Sequence, residues 1–304
     1  MTKRLFRQEH PVLLGFIILG CIFVLFWAGI TFFIVSVSKP RPDFFSSREG
    51  VGVVELIGPI ISADEHLATL RDFRTDDKVK AIVLRIDSPG GAVGASQELF
   101  SEIKKTAATK PVVASLGSIA ASGGYYAALG ASKIISNPGT LTGSIGVILR
   151  FANLEELFNK IGYHSEVVKS GALKDIGSPD RALTEEERQF LQELIDSVHN
   201  QFVAAVAEAR HLPVETVRSY ADGRVFTGAQ AMENGLVDSF GNFSDAIAQA
   251  AALGGLEETN PRLIYPEDNT FSLRRIISGE ANTWIQNLLP RRLPFLSYEW
   301  TAAN

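Results

Sequence analysis

The sequence predicts an α/β domain built around a mainly parallel sheet, carried behind a transmembrane helix. Three observations predict it. Short, continuously apolar runs such as Val51–Leu56, Ala81–Ile86 and Pro111–Leu116 recur along the chain, and they read as strands buried on both faces. Helix-length segments separate them, the alternation expected of parallel strands joined by crossover helices. Ahead of these, Pro11–Ser38 holds no Asp, Glu, Lys or Arg, and it exceeds the roughly 20 apolar residues that cross a bilayer.

Residues 1–10 carry Lys3, Arg4 and Arg7 and read as a cytoplasmic tail. The apolar core of a secretory signal runs about 7–15 residues. The stretch 11–38 is longer and no Ala-x-Ala site follows it, so it reads as an uncleaved anchor. Cys21, the only cysteine, follows Ile18-Leu19-Gly20 in loose likeness to a lipoprotein cleavage box. The run stays apolar through Val37, where a lipoprotein would turn polar, so Cys21 reads as facing lipid. A lone cysteine forms no intramolecular disulfide and does not report the redox compartment. Lys and Arg are balanced across the span, with Lys39, Arg41 and Arg48 beyond it. A short tail usually stays inside while the bulk is exported, but charge alone does not settle the topology.

Residues 39–50 form a Pro- and Ser-bearing linker. The domain proper runs from 51 to 255, and its elements follow in order. Val51–Leu56 is a strand and His66–Phe73 a helix; Ala81–Ile86 is a strand and Gly94–Thr106 a helix. Pro111–Leu116 is a strand ending in a small-residue turn, Gly123–Leu129 a helix and Lys133–Ser136 a strand. Gly146–Leu149 follows, then a helix near Leu154–Ile161 and a strand at Glu166–Val168. Thr184-Glu-Glu-Glu187 is a capping box opening a long helix, whose apolar face carries Phe190, Leu191, Leu194, Ile195, Val198, Phe202 and Val206. That stripe reads as core or subunit contact. Helices near Gly228–Asn234 and Phe243–Leu253 complete the domain. Residues 256–304 form a C-terminal extension without a recognisable motif.

The net charge of -5 and the lack of a long basic block exclude nucleic acid as a partner. No His-Glu-x-x-His, phosphate-binding Gly-x-x-x-x-Gly-Lys or cysteine cluster is present, so neither metal nor cofactor is expected. The informative chemistry lies in three loops at the C-terminal ends of strands, where open α/β folds place their sites. They are Asp87-Ser-Pro-Gly-Gly91, the segment holding Ser122 with Gly123 and Gly124, and Thr140-Leu-Thr-Gly-Ser-Ile-Gly146. Each alone is an ordinary glycine turn. Three together present a hydroxyl nucleophile beside exposed amides, the parts of an acyl-transfer site.

A serine nucleophile needs a base. Of the five histidines, His10 borders the span and His199 and His211 belong to the helical region. His66 and His164 sit nearer the predicted sheet, yet neither neighbours a motif. A desolvated lysine is the other option, and Lys169 and Lys174 follow the predicted strand at Glu166–Val168. Ser101-Glu-Ile-Lys104 matches a Ser-x-x-Lys pattern, but it falls mid-helix among charges and reads as a solvated face.

Asp87-Ser-Pro-Gly-Gly91, Ala120-Ala-Ser-Gly-Gly-Tyr125, Thr142-Gly-Ser-Ile-Gly146 and Lys169-Ser-Gly-Ala-Leu-Lys-Asp-Ile176 occur in order. The set resembles the bacterial signal peptide peptidase A family, also called protease IV, in its short single-repeat form. The resemblance spans residues 51–255 and implies a Clp/crotonase-like fold, a repeated ββα core, with a Ser-Lys dyad. It makes Ser122 the nucleophile, Lys174 the general base, Ser144 the residue orienting that lysine and Gly91 an oxyanion-hole donor. The Gly123 amide becomes the second donor from the usual place of the residue after a nucleophile. The implied function is a membrane-anchored serine endopeptidase that degrades remnant signal peptides and other apolar peptides. It would be a single-pass protein of the cytoplasmic membrane, N-terminus inside and catalytic domain outside, assembled as a homo-oligomeric ring or dome. Three other readings were weighed: a related peptidase acting on particular membrane proteins, a silent oligomeric scaffold, and a crotonase-like acyl-CoA enzyme. The apolar span and Ser122 argue against the last. Long members carry two tandem copies of the domain, whereas this chain carries one.

Overall fold

The computed structural model describes residues 11–38, 49–257, 260–266 and 297–299. The chain divides after Arg48 into two units. The first contains helix α1 (Pro11–Ser38), 28 residues long. Its side chains are described at Phe16 and from Leu19 to Thr31. Among the described residues no helix is long and apolar enough to cross a membrane.

The second unit opens with β1 (Gly50–Ile57), α2 (Asp64–Thr75), β2 (Val79–Ser88), β3 (Gly90–Ala92), α3 (Val93–Ala107), β4 (Val112–Ala121) and α4 (Gly123–Ala128). Then come β5 (Lys133–Ser136), β6 (Leu141–Gly143), α5 (Glu155–Ile161), a 3-10 turn (Ala172–Asp175), α6 (Glu185–Arg210) and α7 (Val214–Arg218). The remainder is β7 (Val225–Thr227), α8 (Gly228–Glu233), β8 (Ser239–Phe240), α9 (Phe243–Leu253), β9 (Arg262–Ile264) and β10 (Ser297–Glu299). The sheet runs β7-β6-β4-β2-β1-β9, with β5 bridging β4 and β8. Its pairs are parallel except β6 with β7. The fold is therefore mixed α/β on a mainly parallel sheet.

Side chains alternate across a strand, and this alternation sorts the core into two layers. Ala81 and Val83 of β2 pack with Val51, Val113 and Ile135 against Ala246 and Ala250 of α9. Ile82, Leu84 and Ile86 face the opposite way, into a larger cluster with Leu99, Ile103, Phe202 and Val206 of α3 and α6. Both faces of the sheet are covered, which is why its strands read as unbroken apolar runs.

Three local expectations are corrected. Gly117–Ala121 is not a turn but the second half of β4. The strand survives its small residues because it changes partner at a register shift: Val113–Ser115 pair β5 and Ile119–Ala121 pair β6. Gly146–Leu149 forms no strand beyond an isolated bridge at Ile148. Glu166–Val168 is irregular, with Val167 half exposed and Val168 fully exposed. Its two valines have no neighbouring strand to hydrogen-bond, so propensity alone does not make a strand of them.

Candidate active site

Strands β2, β4 and β6 are adjacent and parallel, so the three glycine-bearing loops reach one edge of the sheet together. The Asp87 carboxylate accepts from the amides of Ser118 and Ile119 at 3.4 and 3.2 Å. It thereby supplies acceptors to backbone groups that the register shift takes out of the ladder. Thr140 Oγ1 donates to the Gly117 carbonyl and Thr142 Oγ1 to the Ala120 carbonyl, at 2.8 and 2.7 Å. These bonds fix the last residues of β4 before Ser122.

Ser122 is 1% exposed and stands at the β4–α4 junction with φ 54° and ψ -116°. That is a conformation normally left to glycine, and it costs about 1–3 kcal/mol. The Ser122 amide donates to the Gly143 carbonyl at 2.8 Å, and the Tyr126 amide donates to the Ser122 carbonyl, starting α4. The Ser122 hydroxyl takes no part in capping α4. Ser144 mirrors this backbone with φ 50° and is 6% exposed; its amide donates to the Arg224 carbonyl at 2.9 Å.

Gly91 and Gly123 come together. A Cβ on Gly123 would lie 3.1 Å from the Gly91 nitrogen, and one on Gly90 would lie 2.6 Å from the Gly123 nitrogen. On one edge of β3, Gly90 O accepts from Ile60 N and Ala92 N donates to Ile60 O. Strand alternation then turns the Gly91 N–H and C=O to the other edge. On that edge lies β10, antiparallel, with Tyr298 opposite Gly91. The Tyr298 carbonyl oxygen would touch a Cβ placed on Gly90 and lie 3.1 Å from one on Gly123. Two amides thus converge beside Ser122, an arrangement that can hold an oxyanion, and the Tyr298 carbonyl oxygen lies against them.

The segment 297–299 has a second wall. Ser297 exchanges backbone hydrogen bonds with Ile148 at 3.1 and 3.2 Å. The Tyr298 ring, fully buried, stacks on Tyr126 at 5.2 Å and packs on Phe202 at 4.7 Å. Its hydroxyl donates to the Val198 carbonyl at 3.3 Å. Sequence reading missed this strand. The aromatic run Phe295-Leu-Ser-Tyr-Glu-Trp300 carries a strand signal, but nothing local says which edge it joins.

The two candidate lysines differ in their surroundings. Lys169 Nζ donates to the Ala172 carbonyl at 2.9 Å and pairs with Asp175. Lys174, in the 3-10 turn, is exposed; among the described residues no hydrogen bond or ion pair engages its amine, and none joins it to Ser122 or Ser144. His66 Nε2 contacts the Glu55 carbonyl at 3.1 Å. His164 lines a 260 Å³ pocket with Phe158, Tyr163, Asp180 and Arg181, and Ser122 is not part of it. His10 lies outside the described residues. Lys104 pairs with Glu208 and Ser101 is exposed, the solvated face expected of that pattern. Among the described residues no cluster of His, Cys, Asp and Glu is disposed to hold a metal.

The profile of peptidase family S49 matches residues 104–257. Salmonella typhi protease 4 is 40% identical over 77% of this chain and 37% of its own length. The chloroplastic serine protease SPPA of Arabidopsis thaliana is 36% identical over 85% and 39%. The chain thus spans well under half of either protein. Among solved structures, a ClpP1 variant from Listeria monocytogenes aligns with a TM-score of 0.45 at 19% identity, over 64% of this chain and 94% of that one. A Synechocystis sp. protein named as a protease, slr0021, is 45% identical over 264 residues, 85% of this chain and 95% of its own length. A relative that similar over nearly its whole length, with the S49 profile covering half of the chain, decides the family: the chain belongs to peptidase family S49 and is a serine-type peptidase.

Proposed function

We propose that this chain is a membrane-anchored endopeptidase of Clp/crotonase-like type, working through a dyad of Ser122 and Lys174 on remnant signal peptides and other apolar peptides. The observation that carries the reading is the strained Ser122 backbone set beside the converging Gly91 and Gly123 amides. Lys174 Nζ, as a neutral amine, takes the Ser122 proton while Oγ attacks the scissile carbonyl. The two amides hold the oxyanion; the protonated lysine then gives its proton to the leaving amine. Water, deprotonated by the same lysine, releases the acyl group. Ser144 orients the lysine.

The substrate lies as an extended strand on the edge of β3 that 297–299 occupies, displacing that segment from between β3 and Ile148. Backbone pairing there grips any sequence, and the ring pocket of Tyr126 and Phe202 selects a large apolar or aromatic side chain. Lys174 is exposed and makes no bond to Ser122, which supports completion of the dyad by a neighbouring copy in a homo-oligomeric ring. The charge-free helix α1 anchors the chain in the cytoplasmic membrane, with the catalytic unit on its outer side. A synthetic signal peptide incubated with purified protein and followed by mass spectrometry tests the reading. Cleavage within its apolar core, absent in Ser122→Ala, is expected. Equal cleavage by both proteins would refute it.

A further inference from the structure

Asp175 sits immediately after the proposed base, and an unpaired carboxylate there would favour the charged form of the neighbouring amine. The carboxylate is instead fully engaged. Arg181 reaches it through Nε at 3.2 Å and Nη2 at 3.0 Å, and Lys169 Nζ closes on it as well. The same Arg181 fork grips Glu187 through Nη1 at 2.8 Å and through Nη2. Glu187 is buried in the first turn of α6, where it also accepts from the Thr184 amide in the capping box. One guanidinium therefore ties the Lys174 turn to the start of the longest helix in the catalytic unit. The planar guanidinium fork, with its five N–H donors, suits bidentate pairing to both carboxylates.

We propose that Arg181 is a positioning residue for catalysis: it docks the Lys174 turn on α6 and, with Lys169, neutralises Asp175 beside the base. This rests on the reading of Lys174 as the base. The charged and titratable groups around the turn include Lys169, Arg181, Glu187 and Glu155, and Tyr163, His164 and Asp180 line a pocket with Asp175. Asp180 is occupied by Ser178, and Glu155 accepts from the Ala182 amide at 3.0 Å. Asp175 is thus the carboxylate that follows the base in sequence, and Arg181 and Lys169 hold its charge. Hydrogen bonds from Arg181 and then Lys169 hold its carboxyl down at about 2, so it is ionised wherever the enzyme works.

The pH dependence of peptide turnover tests this, because loss of structure alone lowers the rate without moving the midpoint. In Arg181→Gln the freed carboxylate should move the midpoint upward by about half a pH unit or more. Adding Asp175→Asn to that variant should bring it back. Asp175→Asn alone leaves two cations near the base and should move the midpoint downward, which keeps the test usable if Arg181→Gln folds poorly. A lower rate with an unmoved midpoint in Arg181→Gln, or an unmoved midpoint in Asp175→Asn, would overturn the proposal. Lys174→Ala run alongside separates the two ideas: turnover surviving in it would refute the base itself, and the proposal with it.

Discussion

Ser122 joins its proposed role as nucleophile to a local penalty. Its backbone stands at φ 54°, and its hydroxyl makes no capping bond to the α4 amides as a serine at a helix start ordinarily would. Glycine accepts that conformation freely, so Ser122→Gly should be inactive yet more stable. A gain of about 1 kcal/mol is expected, read as a rise of roughly 2–4 °C in a thermal melt. A melt unchanged or lowered would show that the junction is not strained. The neighbouring glycines are constrained by space. A methyl group on Gly123 would collide with Ser96 Oγ and stand between the Gly91 nitrogen and the Tyr298 carbonyl. Gly123→Ala should therefore lower kcat by about 100-fold or more, with acylation rates measured in a rapid-mixing assay. The convergence of these loops was legible in the sequence because three glycine-bearing segments end consecutive strands, although each alone is an ordinary turn. Arg181 and Tyr298 were not legible. Arg181 takes its weight from Asp175 and Glu187, and Tyr298 from residues as far off in sequence as Val198 and Gly91, so even the strand signal at 295–300 does not say which edge it joins.

Among the elements, those with a strong internal pattern match the sequence reading. Helix α6 has its capping box and stripe, and Leu191, Val198, Phe202 and Val206 are buried, although Phe190 and Leu194 remain exposed. Elements that depend on partners do not. The far half of β4 exists because Asp87, Thr140 and Thr142 hold it, and Glu166–Val168 has no strand to join. The connection from the Lys174 turn to α6 is electrostatic and hence acid-sensitive. Arg181 lowers Glu187 to about 2, with help from the Thr184 amide, and lowers Asp175 to about 2 as well. Both carboxyls sit below their ordinary values of about 4. Their contribution is therefore present above pH 4 and lost as pH falls through about 2. The melting difference between wild type and Arg181→Gln should be constant from pH 7 to about 5 and vanish near pH 2. A difference that persists at pH 2 would mean that Arg181 acts by packing.

For the whole molecule, the exposed Lys174 and the two-walled groove lead to different experiments. If neighbouring copies complete the dyad, co-expressed Ser122→Ala and Lys174→Ala chains should regain part of the activity that each lacks. Mixed oligomers, confirmed by tagged pull-down, that stay inactive would place the dyad within one chain. If 297–299 occupies the substrate edge, ending the chain at residue 296 should lower KM for a peptide substrate several-fold. An unchanged KM would put substrate elsewhere. A reporter that works only outside the cytoplasm, fused after Asn304, should be active if α1 anchors an exported catalytic unit. The proposed peptidase mechanism rests on Ser122 being the nucleophile, and covalent labelling reads that role directly. Protein treated with a serine-acylating probe should gain one adduct by intact mass, mapped to Ser122 after digestion. Ser122→Ala should gain none, and Lys174→Arg should label slowly because arginine stays protonated. An adduct on another residue, or one that survives Ser122→Ala, would contradict the assignment of Ser122.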